Sequence, residues 1–483
     1  MFAIPRISQI IIKWCTIALI VIVPVITGCQ DASEESFKIG VEMIDITPPV
    51  GYSHYSGIST GVKDPLHAKA LVFEQGDTRG AILVCDILSI PRDLSRIVRE
   101  NVSRQTGIPF QYISITATHT HTGPSIREAV KEYAKLKASG ELTEEDNDGY
   151  IAYLIRGMTE ALVRAYEQLQ EVELKTGIGH APGISFNRRF LMTDGRVRFN
   201  PGRMNPGIVR AVAPIDPDVH FALFKPISDD NFIASLTVFA SHYARGGTEY
   251  SADYPYYLQK GLREFFGDQL KSVFGIGTCG DINTIDVSRP GENPREGMEW
   301  VETVGYTIAE AIQEAIPLGK QIKPDFRVAS RTIFLPLQDY TEEEYMWARE
   351  GVGDLHPERP FMTRMRMMKI LDLGQMRLRE SIPPSVSGDP WMFPVEIHAF
   401  KLDEETAIVT IPGEVFVELG LDLKARSPFT NTMVIELANL DIRYVPTSRA
   451  FTEGDYEALN SRLVAGSGEK IVDVALEMLV EFR

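Results

Sequence analysis

The sequence predicts an α/β fold, with central, mainly mixed β-sheets covered by helices. Two observations carry this. Apolar runs of strand length alternate with segments of helical periodicity throughout, with no internal repeat, low-complexity tract or long linker. Several of those apolar runs also end directly in His, Glu, Tyr, Asp or Asn, and in α/β sheets ligands gather outside the carboxyl ends of the strands.

The first residues are set apart from the fold. Arg6 and Lys13 precede an apolar run from Trp14 to Ile26, broken by Pro24 and followed by Thr27-Gly28-Cys29. A charged start, an apolar stretch and a small-residue cleavage site are the parts of an export signal. The run is short for a membrane-spanning anchor, which is the other reading. Ile26-Thr27-Gly28-Cys29 resembles the bacterial lipobox, whose cysteine is acylated. The expectation is a lipoprotein signal over residues 1–28, a lipidated polar tether over 29–36 beginning at Cys29, and a single catalytic-type domain over 37–483. Such a protein is exported and anchored by lipid to the cell envelope, in the periplasm or at the cell surface. Of the four cysteines, Cys15 leaves with the signal. Cys85 and Cys279 end apolar runs and read as small buried hydrophobes rather than a disulfide pair.

Strands are expected at Phe37–Ile46, Leu66–Glu74 and Ala81–Ile87. Asp93–Thr106 has helical spacing, with Ile97, Val98 and Val102 on one side and Gly107 as its stop. The strand Tyr112–Ala117 follows. Arg127–Ala138 and Gly149–Gln170 read as helices, the second with Ile151, Leu154, Ile155, Met158, Leu162 and Val163 at core spacing. Gly177–Pro206 reads as irregular. Strands are then expected at Val219–Phe224, Ile233–Ala240 and Ser272–Gly277, with a helix at Tyr256–Phe266 between the last two. A helix at Met298–Ala315 and a strand at Phe326–Leu335 come next. The stretch 340–390 is helical in its first part and rich in Met and Arg, and is a candidate mobile cover. The strands Glu396–Leu402, Ala407–Ile411 and Thr432–Leu437, the helix Val415–Lys424 and a last helix Asp473–Val480 complete the chain.

A net charge of −17 excludes nucleic acid and anionic membrane surfaces as natural electrostatic partners and suits a soluble enzyme. The informative stretch is Thr118-His119-Thr120-His121-Thr122-Gly123-Pro124. It follows a strand, and alternate strand residues face the same way, so His119 and His121 project together. By themselves they are either a reaction or metal centre or two solvent-facing loop histidines. The other strand ends favour a centre: Ser241-His242, Pro412-Gly413-Glu414, Asp441 with Tyr444, and Cys279-Gly280-Asp281-Ile282-Asn283. Two imidazoles and a carboxylate are a common ligand set for catalytic zinc, which leaves a position open for water.

These residues resemble the neutral (non-lysosomal) ceramidases in their N-terminal catalytic domain. The matching segments run in order: Ala117 to Pro124, Asn187-Arg188, Phe239 to His242, Cys279-Gly280-Asp281, Pro412-Gly413-Glu414 and Tyr444 to Thr447. The resemblance implies Zn²⁺ held by His119, His242, Glu414 and Tyr444. It places His121 and Arg188 against the substrate amide, with Tyr456 as a second active-site tyrosine. The implied reaction is hydrolysis of an N-acyl amide, in ceramide or a related small-molecule or lipid substrate, by metal-activated water. Two features depart from the family. Asn283 stands where ceramidases carry a serine, so a carboxamide replaces a hydroxyl beside the reacting oxygen. Ceramidases also continue into a C-terminal β-sandwich, whereas this chain ends soon after its last matching motif. The alternatives are a hydrolase of esters or sugar-linked amides, and a non-catalytic binding lipoprotein on the same fold. Strand order and oligomeric state are beyond the sequence.

Overall fold

Two twisted sheets stack face to face, and helices cover both outer faces. This is the arrangement in a computed structural model that describes residues 35–244, 246–288, 297–352, 359–379, 381–385 and 389–483. Residues Ser36–Arg483 form one compact unit. The expected signal over 1–28 and most of the tether over 29–36 lie outside the described residues, as do parts of the 340–390 stretch. Among the described residues no helix is long and apolar enough to cross a membrane.

The larger sheet runs, edge to edge, Lys271–Ile276, Ala234–Phe239, Asp218–Pro226, Gln170–His180, Phe37–Asp45, His67–Gln75, Thr78–Cys85, Ile113–Ala117, with Lys320–Ile322 also paired to Gln170–His180. The smaller sheet runs Arg327–Pro336, Met392–Lys401, Thr406–Thr410, Asn431–Ile435. Strand alternation builds the layers. Ile39, Val41, Leu71, Phe73, Ile82 and Val84 point inward and meet Phe400, Ile408, Met433 and Ile435 of the smaller sheet. Their neighbours Ala68, Ala70, Val72, Ala81 and Leu83 point outward, under helices that include Arg92–Thr106 and Tyr150–Glu167. On the far side, Phe393, Val395, Ile397 and Ala399 pack with Leu476 and Leu479 of the helix Ser467–Val480. The sheets touch closely at Gly275, where an added Cβ would stand 2.6 Å from Ile435. A larger residue there would force the layers apart.

The pairing is mixed, as the sequence predicts, and its parallel part matters most. Within these two sheets three pairs are parallel among the described residues: Thr78–Cys85 with Ile113–Ala117, Ala234–Phe239 with Lys271–Ile276, and Thr406–Thr410 with Asn431–Ile435. Each needs a helical crossover, supplied by Arg92–Thr106, Tyr254–Phe266 and Val417–Arg426. The helices expected at Asp93–Thr106, Arg127–Ala138, Gly149–Gln170 and Met298–Ala315 form with small shifts of boundary.

Gly177–Pro206 is not wholly irregular. The strand Gln170–His180 enters it and pairs along its length with Asp218–Pro226, and Arg189–Met192 and Val197–Phe199 pair beyond it. Gly177 sits in that strand because a Cβ there would be 2.5 Å from the Phe221 ring. The glycine is a packing requirement, although in the sequence it reads as a breaker. Cys85 and Cys279 are buried free thiols.

His220 and His398 are interior histidines, both buried. His220 Nδ1 lies 2.8 Å from Asn431 Oδ1, and His398 Nε2 is 3.5 Å from Glu396. Burial first, then Lys424, pushes His220 from 6.5 to about 4; burial, against the opposing Glu396, does the same to His398. An unfolded chain therefore takes up protons near pH 6.5 that the folded chain refuses until about 4, and stability falls as pH drops through that window. The expected loss is about 3 kcal/mol per histidine. Urea midpoints measured at stepped pH check it, and His398→Gln is expected to flatten the slope.

Candidate active site

The carboxyl ends of the three parallel pairs meet at one place. Beyond Ile113–Ala117 the chain continues past Thr118, whose N–H bonds Cys85 O, to His119, whose N–H bonds Ile87 O. His119 then adopts φ 62°, a left-handed conformation that costs a non-glycine residue of order 1 kcal/mol or more. That turn sends its ring across the strand ends. Its Nδ1 lies 2.7 Å from Leu88 O, so Nδ1–H donates to that carbonyl and the Nε2 lone pair is left for another partner. His242, past Ala234–Phe239, has Nδ1 3.2 Å from Cys279 O. The same carbonyl clamp fixes the same tautomer.

The two Nε2 atoms stand 3.1 Å apart, and His121 Nε2 is 3.4 Å from that of His119. Ligand atoms of all three histidines lie within 4.8 Å of one another. Glu414 Oε2 is 3.6 Å from His119 Nε2. Ligands about 2.0–2.1 Å from a tetrahedral zinc are roughly 3.4 Å apart, so this donor set fits such an ion. His121 and His242 are pushed well below the usual imidazole range by burial first, then by neighbouring imidazoles and Arg188. Both are neutral at physiological pH, the form that binds metal.

Glu414 arrives through a tight passage. Gly413 holds φ 83°, and a Cβ on it would stand 2.7 Å from Arg443 O. Gly280 passes so close to the next residue that its own Cβ would meet Glu414 O at 2.5 Å. Glu414 and Tyr444 pair side by side in a short parallel bridge, Glu414–Val415 with Tyr444–Val445. Burial first, and then Glu414, push the Tyr444 phenol well above its usual range.

Arg188 is fully enclosed. Its Nε donates to Glu457 at 2.9 Å and its Nη2 to Gly280 O at 2.7 Å, while Nη1 stands 3.5 Å from His242 Nε2. Burial works against its charge, but Tyr444, Glu457 and Glu414 outweigh it and keep the guanidinium protonated. The Tyr456 ring centroid is 5.4 Å from that of Tyr444, 4.8 Å from Phe199 and 5.3 Å from Phe361. Phe361 opens the helix Phe361–Arg379 of the Met/Arg-rich stretch, so that stretch reaches the site's edge. Within it Met367 packs with Ala348 and Ile370 and serves as core between two helices. Asn283 Nδ2 donates to Asn200 Oδ1 at 2.8 Å, and Asn200 N–H bonds Arg188 O.

The structure thus gathers His119, His121, His242, Glu414, Tyr444, Arg188 and Tyr456, and holds Asn283 beside the Arg188 segment. It adds residues that sequence reasoning passed over. Tyr243 stacks on His121 with centroids 3.7 Å apart, and Tyr55 meets the same ring edge-on at 4.9 Å. Tyr243 adjoins a motif histidine and Glu457 adjoins Tyr456, so adjacency was the available signal for both. Tyr55 lies on an early loop with no such mark. Asp281 is buried, accepts from Asn187 Nδ2 at 2.7 Å, and caps the helix Val417–Arg426 through Val417 N–H at 2.9 Å.

Glu457 is the counter-charge of Arg188, and its second oxygen lies 3.5 Å from Arg189 Nε. Removing one partner of a buried pair strands the other charge, so Glu457→Ala is expected to lose about 3–5 kcal/mol of stability in urea unfolding.

With this geometry in view, comparison with known proteins is informative. Residues 37–244 match the family described as neutral/alkaline non-lysosomal ceramidase, N-terminal. No curated protein sequence matches the chain. The crystal structure of neutral ceramidase from Pseudomonas aeruginosa is similar with a TM-score of 0.65 and 17% identity, over 93% of this chain and 75% of that one. A structure described as ceramidase complexed with C2 gives the same TM-score and identity, over 93% of this chain and 76% of that one. At that identity the likeness is one of fold. Over residues 37–244 the sequence is similar to the N-terminal domain of the neutral/alkaline non-lysosomal ceramidases, and over most of its length the chain shares the fold of neutral ceramidase.

Proposed function

We propose that the protein is a zinc-dependent hydrolase that cleaves an N-acyl amide bond. The observation that carries this reading is the meeting of His119, His242 and Glu414 at the strand ends, with both imidazoles clamped at Nδ1 by carbonyls. His119, His242 and Glu414 would hold the metal, with Tyr444 as a fourth ligand. When bound, zinc supplies a Lewis acid and, by lowering the pKa of water to about 7, a hydroxide near neutral pH.

The chain's own groups account for the rest. Arg188 keeps its charge and lies beside His242, where a fixed cation stabilises negative charge growing on the amide oxygen. Tyr456 offers a phenolic O–H to the same oxygen. His121, stacked on Tyr243 with Tyr55 edge-on, is the group we assign to proton transfer at the leaving nitrogen. Asn283 supports the Arg188 segment through Asn200 and has a second amide N–H for the substrate. The aromatic rings around the site suit an apolar acyl chain. Ceramide or a related N-acyl compound is the substrate class, with Asn283 in the serine position distinguishing this site from that of ceramidases.

Replacing both His119 and His242 by Ala is expected to abolish zinc content and turnover together. His121→Ala is expected to keep stoichiometric zinc while losing turnover by about a hundredfold or more. Elemental analysis beside amide-hydrolysis assays with chelator and zinc add-back checks both. A double variant that keeps its zinc, or native protein that turns over no N-acyl substrate, would favour the binding-lipoprotein reading.

We also propose that the mature protein begins at Cys29 and is held to the cell envelope by acyl chains there. Labelled palmitate is expected to enter the native protein and to be absent from Cys29→Ser.

A further inference from the structure

Arg443 stands immediately before the candidate ligand Tyr444 and carries φ 61°. Glycine adopts that conformation without cost, whereas a long charged side chain does not. The chain therefore accepts backbone strain to put a guanidinium here. Asp441, its nearest carboxylate at 3.8 Å, already receives Arg127 Nη2 and the Ser89 hydroxyl. Asp372 is held by Arg127 and by Arg462 at 2.8 Å. Among the described residues, three guanidiniums (Arg127, Arg443 and Arg462) thus surround two carboxylates, Asp372 and Asp441. One positive charge is left over, in a protein whose net charge is −17.

The Arg443 guanidinium is within electrostatic reach of the site's rings. The Arg443 side chain is 26% exposed. Its charge acts on His121, where it adds to burial, His119 and Arg188 in disfavouring the protonated ring. It acts also on Tyr55, where burial raises the phenol and Arg443 works the other way. Tyr55 is 52% exposed, so the ring that covers His121 and the cation beside it both border solvent.

We propose that Arg443 recognises an anionic head group, and that the substrate is an N-acyl conjugate carrying a carboxylate, of the N-acyl amino acid class. The acyl chain lies among the aromatic rings, the amide at the imidazoles, and the carboxylate at the site's mouth on the Arg443 guanidinium. This rests on the N-acyl hydrolase reading given above. A neutral diol or alcohol head group would leave the Arg443 guanidinium with only the shared Asp441, 3.8 Å away.

The test uses N-octanoylglycine and N-octanoylethanolamine, which share the acyl chain and the amide and differ in the head group. Calorimetric binding to metal-free native protein is expected to favour the carboxylate by about tenfold or more, the scale of one charge-assisted hydrogen bond. R443Q and R443G are expected to bring the two affinities within about twofold of each other, and R443K to keep part of the preference. R443G also relieves the positive φ, so it reads the charge free of any folding defect. Equal binding by the native protein, or a preference that survives both R443Q and R443G, would overturn the assignment. Turnover separates it from the reading beneath it. An anionic preference in binding with no chelator-sensitive hydrolysis of either compound upholds Arg443 as the head-group reader and removes the reaction. Hydrolysis of both without preference does the reverse.

Discussion

The buried side chain and backbone of Glu436 join all three parallel strand pairs. Its carboxyl accepts from Val415 N–H at 2.6 Å and from the Cys279 thiol at 3.2 Å. Its backbone N–H bonds Ile276 O, and its carbonyl accepts the Thr116 hydroxyl at 2.6 Å. Burial first holds its carboxyl well above the usual carboxylate range, with Glu414 adding to it, so the group is neutral. A neutral acid can sit in an apolar interior at a modest cost if its hydrogen bonds are made. Without that junction the segment bearing Glu414, the carbonyl that clamps His242, and the strand leading to His119 would have no common anchor.

Around it the site balances polarity against exclusion of water. His121 and His242 are neutral, the enclosed Arg188 guanidinium is matched by Glu457, and aromatic rings line much of the remaining wall. The low local dielectric strengthens each fixed charge, which makes Arg188 effective and makes an unmatched group costly. Backbone strain collects in the same neighbourhood. His119, Leu437, Asn439 and Arg443 all have positive φ, and each follows or adjoins a strand end. Three of them fall in the one loop between Ile435 and Tyr444. Asn439 is held there by its side-chain oxygen, which accepts Ile115 N–H at 2.9 Å and the Ser95 hydroxyl at 3.1 Å.

The Met/Arg-rich stretch belongs to this neighbourhood through charge. Asp372, on Phe361–Arg379, is tied to Arg127 and Arg462, and Phe361 lies against Tyr456. Met367 fills the seam between helices, whereas Met346 and Met368 are exposed. The described part of the stretch reaches the edge of the site through Phe361.

Strand and helix were legible wherever burial imposed a clean period. Ala81 to Cys85, Ile113 to Ala117 and Met298 to Ala315 are such runs, and their apolar spacing is local information. Gln170–His180 was not, because Gly177 and Gly179 interrupt its alternation and the reason for each lies in Phe221 and Ala311 of other elements. The polar strand ends were legible for a related reason: a histidine directly after an apolar run is conspicuous in one dimension. The sequence by itself therefore determined which residues could serve a site, and that they stand at carboxyl ends. Only the tertiary structure decided which of them meet. The approach of His119 to His242 at 3.1 Å, the seating of Glu414 between Gly280 and Arg443, and the pairing of Arg188 with Glu457 join segments far apart in the chain. Those contacts depend on the register of three strand pairs and on the buried acid that ties them, and neither leaves a local pattern in the chain.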